Sequence, residues 1–182
     1  TEEIIAVASY IESSELNASP VDVISAEEFK NLRVSTVAEL SKYLSIASGS
    51  HFQTNALDGV DQGMATITLR GLDHASTLVL INKKRQTHSG TPSDEGEGYI
   101  DINIIPEIAL ERIEILKDGA TSLYGSDAIA GVINFQTFQQ FDGMRFLLGS
   151  QKTTNYDQRD NSLGVMFGGK FLEGDYILAL SS

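Results

Sequence analysis

A chain of 182 residues with 41% hydrophobic composition can form one domain with a core, or one domain plus an appendage. Thirteen basic against 25 acidic residues leave a formal charge of −12, a surface that repels a phosphate backbone and argues against a nucleic-acid partner. With no cysteine, disulfides, thiol catalysis and thiolate-bound zinc are excluded.

No basic stretch followed by an apolar one opens the chain, so a signal peptide is expected to have been removed or left out. No apolar run approaches the roughly 20 residues of a membrane helix. Thr1 to Tyr10 is an acidic start followed by a short apolar run, suited to an edge strand or a frayed terminus. Pro20 to Ile24 reads as a strand. Ser25-Ala26-Glu27-Glu28 then has capping-box spacing and opens a short helix. Thr36 to Glu39 repeats the device, and Val37, Leu40 and Leu44 share one face of a second helix that packs on a sheet. Ser48 to Gly63 is rich in Gly, Ser, Asn and Asp and reads as a loop; its Asp58 and Asp61 lack the spacing of a calcium loop.

Ala65 to Leu69 alternates and reads as a strand, with Thr66, Thr68 and Arg70 opposite Ile67 and Leu69. Thr77 to Ile81 is continuously apolar, as in a central strand covered on both faces. Asn82 and Lys83 follow as a turn. Gln86 to Gly98 is the most loop-like segment, where Asp94, Glu95 and Glu97 beside His88 offer either a solvated acidic loop or a weak cation site. Asp101 to Ile105 returns to strand, and Pro106 suits the first turn of a helix. Arg112 to Leu116 alternates, Ile113 and Ile115 facing one way and Arg112 and Glu114 the other, which predicts a half-buried strand. Ala120 to Tyr124 allows about one helical turn closed by Gly125, and Val132 to Phe135 is a further strand. Met144 to Gly149, Leu163 to Lys170 and Tyr176 to Ser182 are short alternating strands; Phe146 and Leu148, and Leu163, Val165 and Phe167, are spaced by two.

Enzyme motifs fail one by one. There is no G-x-G-x-x-G, P-loop, H-E-x-x-H or G-x-S-x-G. His51, His74 and His88 share no metal-ligand spacing, and Ser126-Asp127 has no local histidine base. The residues alone point to no catalytic site, no metal site and no cofactor. Spacing alone also allows the stretch Leu110 to Thr137 to be a strand–turn–strand unit of some soluble domain.

The wording of that stretch is more specific. ALERIEILKDGATSLYGSDAIAGVINF resembles the signature of the plug domain of TonB-dependent outer-membrane receptors, and SPVDVISAEEF, TVAEL, ITLRGL, TLVLIN and DINIIP precede it in the family's order. The resemblance implies an α+β, strand-dominated fold: a small mixed β-sheet plug with short helices, followed by the first antiparallel strands of an outer-membrane β-barrel. The organisation expected is an N-terminal TonB-box-like segment over 1–18, the plug over 19–140 and the first barrel strands over 141–182. A barrel of about 22 strands needs on the order of 200 residues in strands alone, so the chain is expected to be a receptor cut shortly after its plug, touching the membrane only through the missing barrel.

The resemblance also implies roles. Glu3, Ile4, Ile5, Ala6, Val7 and Ala8 would add a strand to the TonB-type periplasmic energy transducer, although Ala6 and Ala8 are weaker strand formers than relatives carry there. Asn55, Asp58, Asp61, His88, Asp94, Glu95 and Glu97 would lie on outward loops that touch a small nutrient ligand such as an iron–siderophore. Arg70 and Arg112 would pair with glutamates of the barrel wall, and replacing both with methionine would leave the isolated chain about as stable as before. Relatives usually place glycine after the asparagine of the TLVLIN turn, so Lys83 predicts a wider or strained turn. The location implied is the bacterial outer membrane, with the plug in the barrel lumen and the N-terminus in the periplasm. The alternative is a free-standing soluble binding or adhesion module with a plug-like fold.

Overall fold

The computed structural model describes residues 21–32, 36–50, 63–93, 96–117, 121–152, 159–171 and 174–181. Its elements are β1 (Val21–Ser25), α1 (Ala26–Leu32), β2 (Thr77–Ile81), β3 (Lys84–Arg85), β4 (Leu110–Leu116), α2 (Thr121–Tyr124), β5 (Gly131–Thr137), β6 (Gly143–Lys152), β7 (Arg159–Phe171) and β8 (Gly174–Ser181), with short 3₁₀ turns between them. Two sheets result: a mixed one in the order β1-β4-β5-β2-β3, and an antiparallel one in the order β6-β7-β8. This is the α+β, strand-dominated arrangement that the sequence predicts.

The local devices follow from side-chain chemistry. At the start of α1 the Ser25 hydroxyl accepts the Glu28 N–H at 3.2 Å while the Glu28 carboxylate accepts the Ser25 N–H at 2.8 Å, a reciprocal cap. Thr36 Oγ1 accepts the Glu39 N–H at 3.3 Å, but the element it caps, Val37–Tyr43, winds as a 3₁₀ helix with Val37 and Leu40 buried. β2 is buried from Thr77 to Leu80 and lies between β5 and β3, as its apolar run predicts. One helical turn, Thr121–Tyr124, ends at Gly125 with φ 83°.

Two predicted strands are absent among the described residues. Ala65 to Leu69 makes only an isolated bridge at Thr66, and both of its alternating sets are buried. Backbone groups of this segment are met by neighbouring segments instead of a ladder: Ser50 Oγ accepts the Thr68 N–H at 3.0 Å, Thr77 Oγ1 accepts the Leu69 N–H at 3.0 Å, and Ala65 O accepts the Ile102 N–H at 2.9 Å. Asp101 to Ile105 folds as a 3₁₀ turn over Ile102–Ile104, because the Asp101 carboxylate accepts the Asn103 N–H at 3.0 Å and so competes with extended pairing.

The main core lies on one face of the first sheet, where Ile113, Ile115, Ile133, Phe135 and Val79 meet Leu40, Ile67, Leu69 and Ile102. On the opposite face Leu78, Leu80, Leu116 and Val132 pack under Ala128 and Tyr124. The second sheet docks through Met166, Leu147, Ile177 and Ala179 onto Ile108, Ala109, Phe138 and Phe141. Gly164 permits this approach, since a Cβ there would sit 3.3 Å from Ile108.

Candidate functional site

A buried polar cluster interrupts the second face of the first sheet. Register sets Arg112 opposite Gln136 and Glu114 opposite Asn134, and a bulge between Leu110 and Arg112 turns Arg112 to this side while Leu110 stays in the main core. Glu114 is 2% exposed. It is not a solvent-facing position, so the prediction of a half-buried β4 is corrected: both faces are covered. A carboxylate withdrawn from water must be paired and hydrogen-bonded. Glu114 Oε1 accepts from Arg112 Nε at 2.9 Å and Gln136 Nε2 at 3.1 Å, and Oε2 accepts from Asn134 Nδ2 at 2.9 Å. Arg112 Nη2 also donates to Gln136 Oε1 at 3.0 Å. The Arg112 side chain is 35% exposed, and its Nη1 makes no hydrogen bond among the described residues.

The cluster reaches the β2–β3 hairpin. Asn134 Oδ1 accepts the Lys83 N–H at 2.9 Å, and Asn82 Oδ1 accepts the Thr137 N–H at 2.9 Å. The turn is the tight two-residue form, with Ile81 paired to Lys84 and φ of 51° at Asn82 and 64° at Lys83. It is therefore not wider; it is narrow, with a lysine in a glycine-like conformation. Asn134 and Gln136 escaped notice in the sequence. Their signal was two amides at alternate positions of an otherwise apolar strand, facing Glu114 and Arg112.

Arg70 is placed differently. It sits at a turn with φ 61°, not within a strand, and its guanidinium donates to the Lys117 carbonyl. Lys117 follows the far end of β4, five residues beyond Arg112, about 16 Å along an extended chain. The two arginines therefore serve opposite ends of one strand.

Of the predicted loop residues, His88 and Glu97 are described; Asn55, Asp58, Asp61, Asp94 and Glu95 lie outside the described residues, as do Glu3, Ile4, Ile5, Ala6, Val7 and Ala8. The Gln86–Gly98 loop is pinned at its base by Ser89 N–H to Tyr99 O at 2.8 Å and Ser93 N–H to Glu97 O at 2.9 Å. His88 packs against Gly98, whereas Glu97 Oε2 lies 3.9 Å from His74 Nε2, whose ring meets Tyr99 edge-on. The Glu97 carboxylate is thus directed toward His74. No group of three or more potential metal ligands occurs among the described residues.

The second sheet carries the other unusual surface. Its register stacks Met144, Phe167 and Leu178 in one row and Phe146, Val165 and Leu180 in the next, with Leu148 beside Leu163. This face is apolar and open: Phe146 is 64%, Leu148 81% and Leu180 64% exposed. So large a contiguous patch needs an apolar partner. The β6–β7 connection spans residues 153–158, and the β7–β8 connection only 172–173.

The family model described as TonB-dependent Receptor Plug Domain matches residues 14–132. Among curated proteins the chain is similar to vitamin B12 transporter BtuB of Vibrio vulnificus, 31% identical over 142 residues that cover 71% of this chain and 22% of that protein. It is also similar to the iron-regulated outer membrane virulence protein of Vibrio cholerae, 44% identical over 72 residues, 39% of this chain and 11% of that protein. Among solved structures it resembles the siderophore receptor PirA from Acinetobacter baumannii, with a TM-score of 0.62 and 26% identity over 88% of this chain and 24% of that one. The ferric enterobactin receptor PfeA of Pseudomonas aeruginosa gives a TM-score of 0.62 at 23% identity, over 88% of this chain and 24% of that one. The chain spans less than a quarter of the length of these relatives.

Proposed function

The chain belongs to the family of TonB-dependent receptor plug domains, and from that premise we propose that it is the gate of an outer-membrane transporter that takes up a scarce nutrient, such as an iron–siderophore, by energy-coupled transport. One observation carries the reading beyond the family. A compact mixed sheet is fastened to an antiparallel sheet whose outer face is a continuous apolar surface, with side chains alternating in and out along each strand. That is the pattern of lipid-facing strands in an outer-membrane barrel, where short connections face the periplasm and long ones the outside. A soluble module would have no use for such a face.

On this reading the rest of the receptor continues the β6–β8 sheet into a barrel around the plug. Glu3 to Ala8 form the extended strand that the periplasmic energy transducer captures, and the transducer then draws on the proton-motive force to displace the plug. Loops containing Asn55, Asp58, Asp61, His88, Asp94, Glu95 and Glu97 supply part of the substrate surface, the barrel loops the rest. The names of the relatives span vitamin B12 transporters and siderophore receptors, so the substrate belongs to the class of scarce metal-bearing nutrients that includes both. Arg112, with Nη1 unengaged and a third of its side chain exposed, is suited to meet a barrel glutamate, and Arg70 does so from the other end of β4.

The test is uptake of ferric siderophore by cells producing the full-length receptor. Ile5→Pro and Val7→Pro, which each remove a backbone donor, should abolish uptake and leave surface binding of the chelate intact. Uptake at the wild-type rate by both variants would remove the N-terminal assignment. Full-length protein recovered outside the outer-membrane fraction would remove the transporter reading itself.

A further inference from the structure

The tip of the β2–β3 hairpin is a two-residue turn whose geometry requires positive φ at both central residues. At Asn82 and Lys83, with φ of 51° and 64°, the Cβ of an L-residue crowds the following carbonyl. Asparagine tolerates this region through local hydrogen bonds; lysine has no such help, and glycine would fit freely. The strain is held from outside, by Asn134 on the Lys83 N–H and by Asn82 on Thr137. Lysine at the second turn position, where glycine is favoured, is the uncommon choice here.

The side chains there are unused within the chain. Lys83 and Lys84 are exposed, and neither ammonium makes a hydrogen bond or ion pair among the described residues. Arg85, next along, differs: it donates to Asp127 at 2.5 Å and to the Tyr124 carbonyl. Lysine on an edge strand discourages strand-to-strand association. That accounts for Lys84 but not for Lys83, which stands outside the ladder. Two unneutralised cations on a rigid tip, in a chain of net charge −12, fit a carboxylate-bearing surface.

Position narrows the partner. The tip is tied to the end of β5 at Thr137, six positions before β6 begins at Gly143. Gly143 pairs with Gly168, so this is also the end of the second sheet that carries the 172–173 connection, the periplasmic end if the strands belong to a barrel. We propose that Lys83 and Lys84 dock against carboxylates on the inner barrel wall near its periplasmic rim, a fastening separate from Arg70 and Arg112. The inference rests on the plug reading above.

The test compares the 182-residue chain with the full-length receptor. In the chain, Lys83→Gly relieves the left-handed lysine and should raise the urea midpoint by about 0.3 M. In the receptor the same change, and independently Lys84→Gln, should speed hydrogen exchange over residues 77–85 about fivefold. Raising salt from about 0.05 M to about 0.5 M should do likewise to the wild type and little to the double variant. Exchange unchanged or slowed in both variants would overturn the docking point and leave the plug reading standing. Wild-type receptor whose residues 77–85 exchange as fast as in the 182-residue chain would overturn both, since the plug would then not be seated in a barrel.

Discussion

Replacing Arg112 with methionine should destabilise the 182-residue chain by about 2 kcal/mol. The figure follows from the surroundings of Glu114. Breaking a fully buried ion pair costs about 3–5 kcal/mol, but Arg112 is 35% exposed, and the Gln136 and Asn134 amides remain on the carboxylate. The loss is then nearer that of one charge-assisted hydrogen bond, about 1.5–3 kcal/mol. Arg70→Met should cost less than Arg112→Met, because the Arg70 side chain lies at the surface. The expectation from sequence is that both arginines are dispensable to the isolated chain; the contact of Arg112 with buried Glu114 predicts a loss for that residue instead. Urea unfolding followed by far-ultraviolet circular dichroism would show it, with a midpoint lowered by about 1 M for Arg112→Met at a slope near 2 kcal/mol/M. Adding Glu114→Gln to Arg112→Met should recover part of the loss, since the uncompensated charge is gone. A midpoint for Arg112→Met within about 0.2 M of wild type would refute the reasoning and mean that the two amides alone support Glu114.

Burial, and then the Glu39 carboxylate, push the Glu107 carboxyl up from 4.5 to about 7. The folded state therefore keeps a proton that the unfolded chain has lost, and stability should fall as pH rises between about 4.5 and 7. Glu107→Gln should flatten that window in a series of urea midpoints; parallel profiles for the two proteins would count against it. Asn134→Ala removes the acceptor of the Lys83 N–H and a donor to buried Glu114, and should cost about 2–3 kcal/mol in the same assay. Gly164→Val would drive a side chain into Ile108, and should raise limited proteolysis of the β6–β8 sheet while sparing the first sheet.

Most of the strand content was legible because it rests on short-range patterns. The unbroken apolar run of β2 marked a central strand, the Ser25–Glu28 spacing marked the start of α1, and the spacing of two from Phe146 to Phe167 marked the outward face of β6 and β7. Where the reading failed, partners distant in sequence had decided the outcome. Thr66 and Thr68 were set opposite Ile67 and Leu69 by alternation, yet both are buried: Ser50 Oγ accepts the Thr68 N–H and the Ser48 carbonyl accepts the Thr68 hydroxyl. Glu114 read as exposed for the same reason; the amides that permit its burial lie 20 and 22 residues further on. Asp101 to Ile105 failed on a local competition, a carboxylate capping its own turn against a run of isoleucines. In the candidate site Arg112 could be picked out from wording, whereas Asn134, Gln136 and the Lys83 conformation depend on register and needed the fold.

The order of the first sheet bears on how the chain is made. β5 lies between β4 and β2, antiparallel to one and parallel to the other. Until residues 131–137 emerge during synthesis, β1 with β4 and β2 with β3 are separate hairpin-sized pieces, each with an unsatisfied edge. The parallel partner, β2, was synthesised some 50 positions earlier, so closing the sheet spans a long loop and is intrinsically slow. A polypeptide crossing the inner membrane in extended form would meet the periplasm with its apolar strands unmated for that whole interval. The order of the sheet thus sets an interval of exposed strand edges that ends only when β5 arrives, and aggregation competes with folding until then.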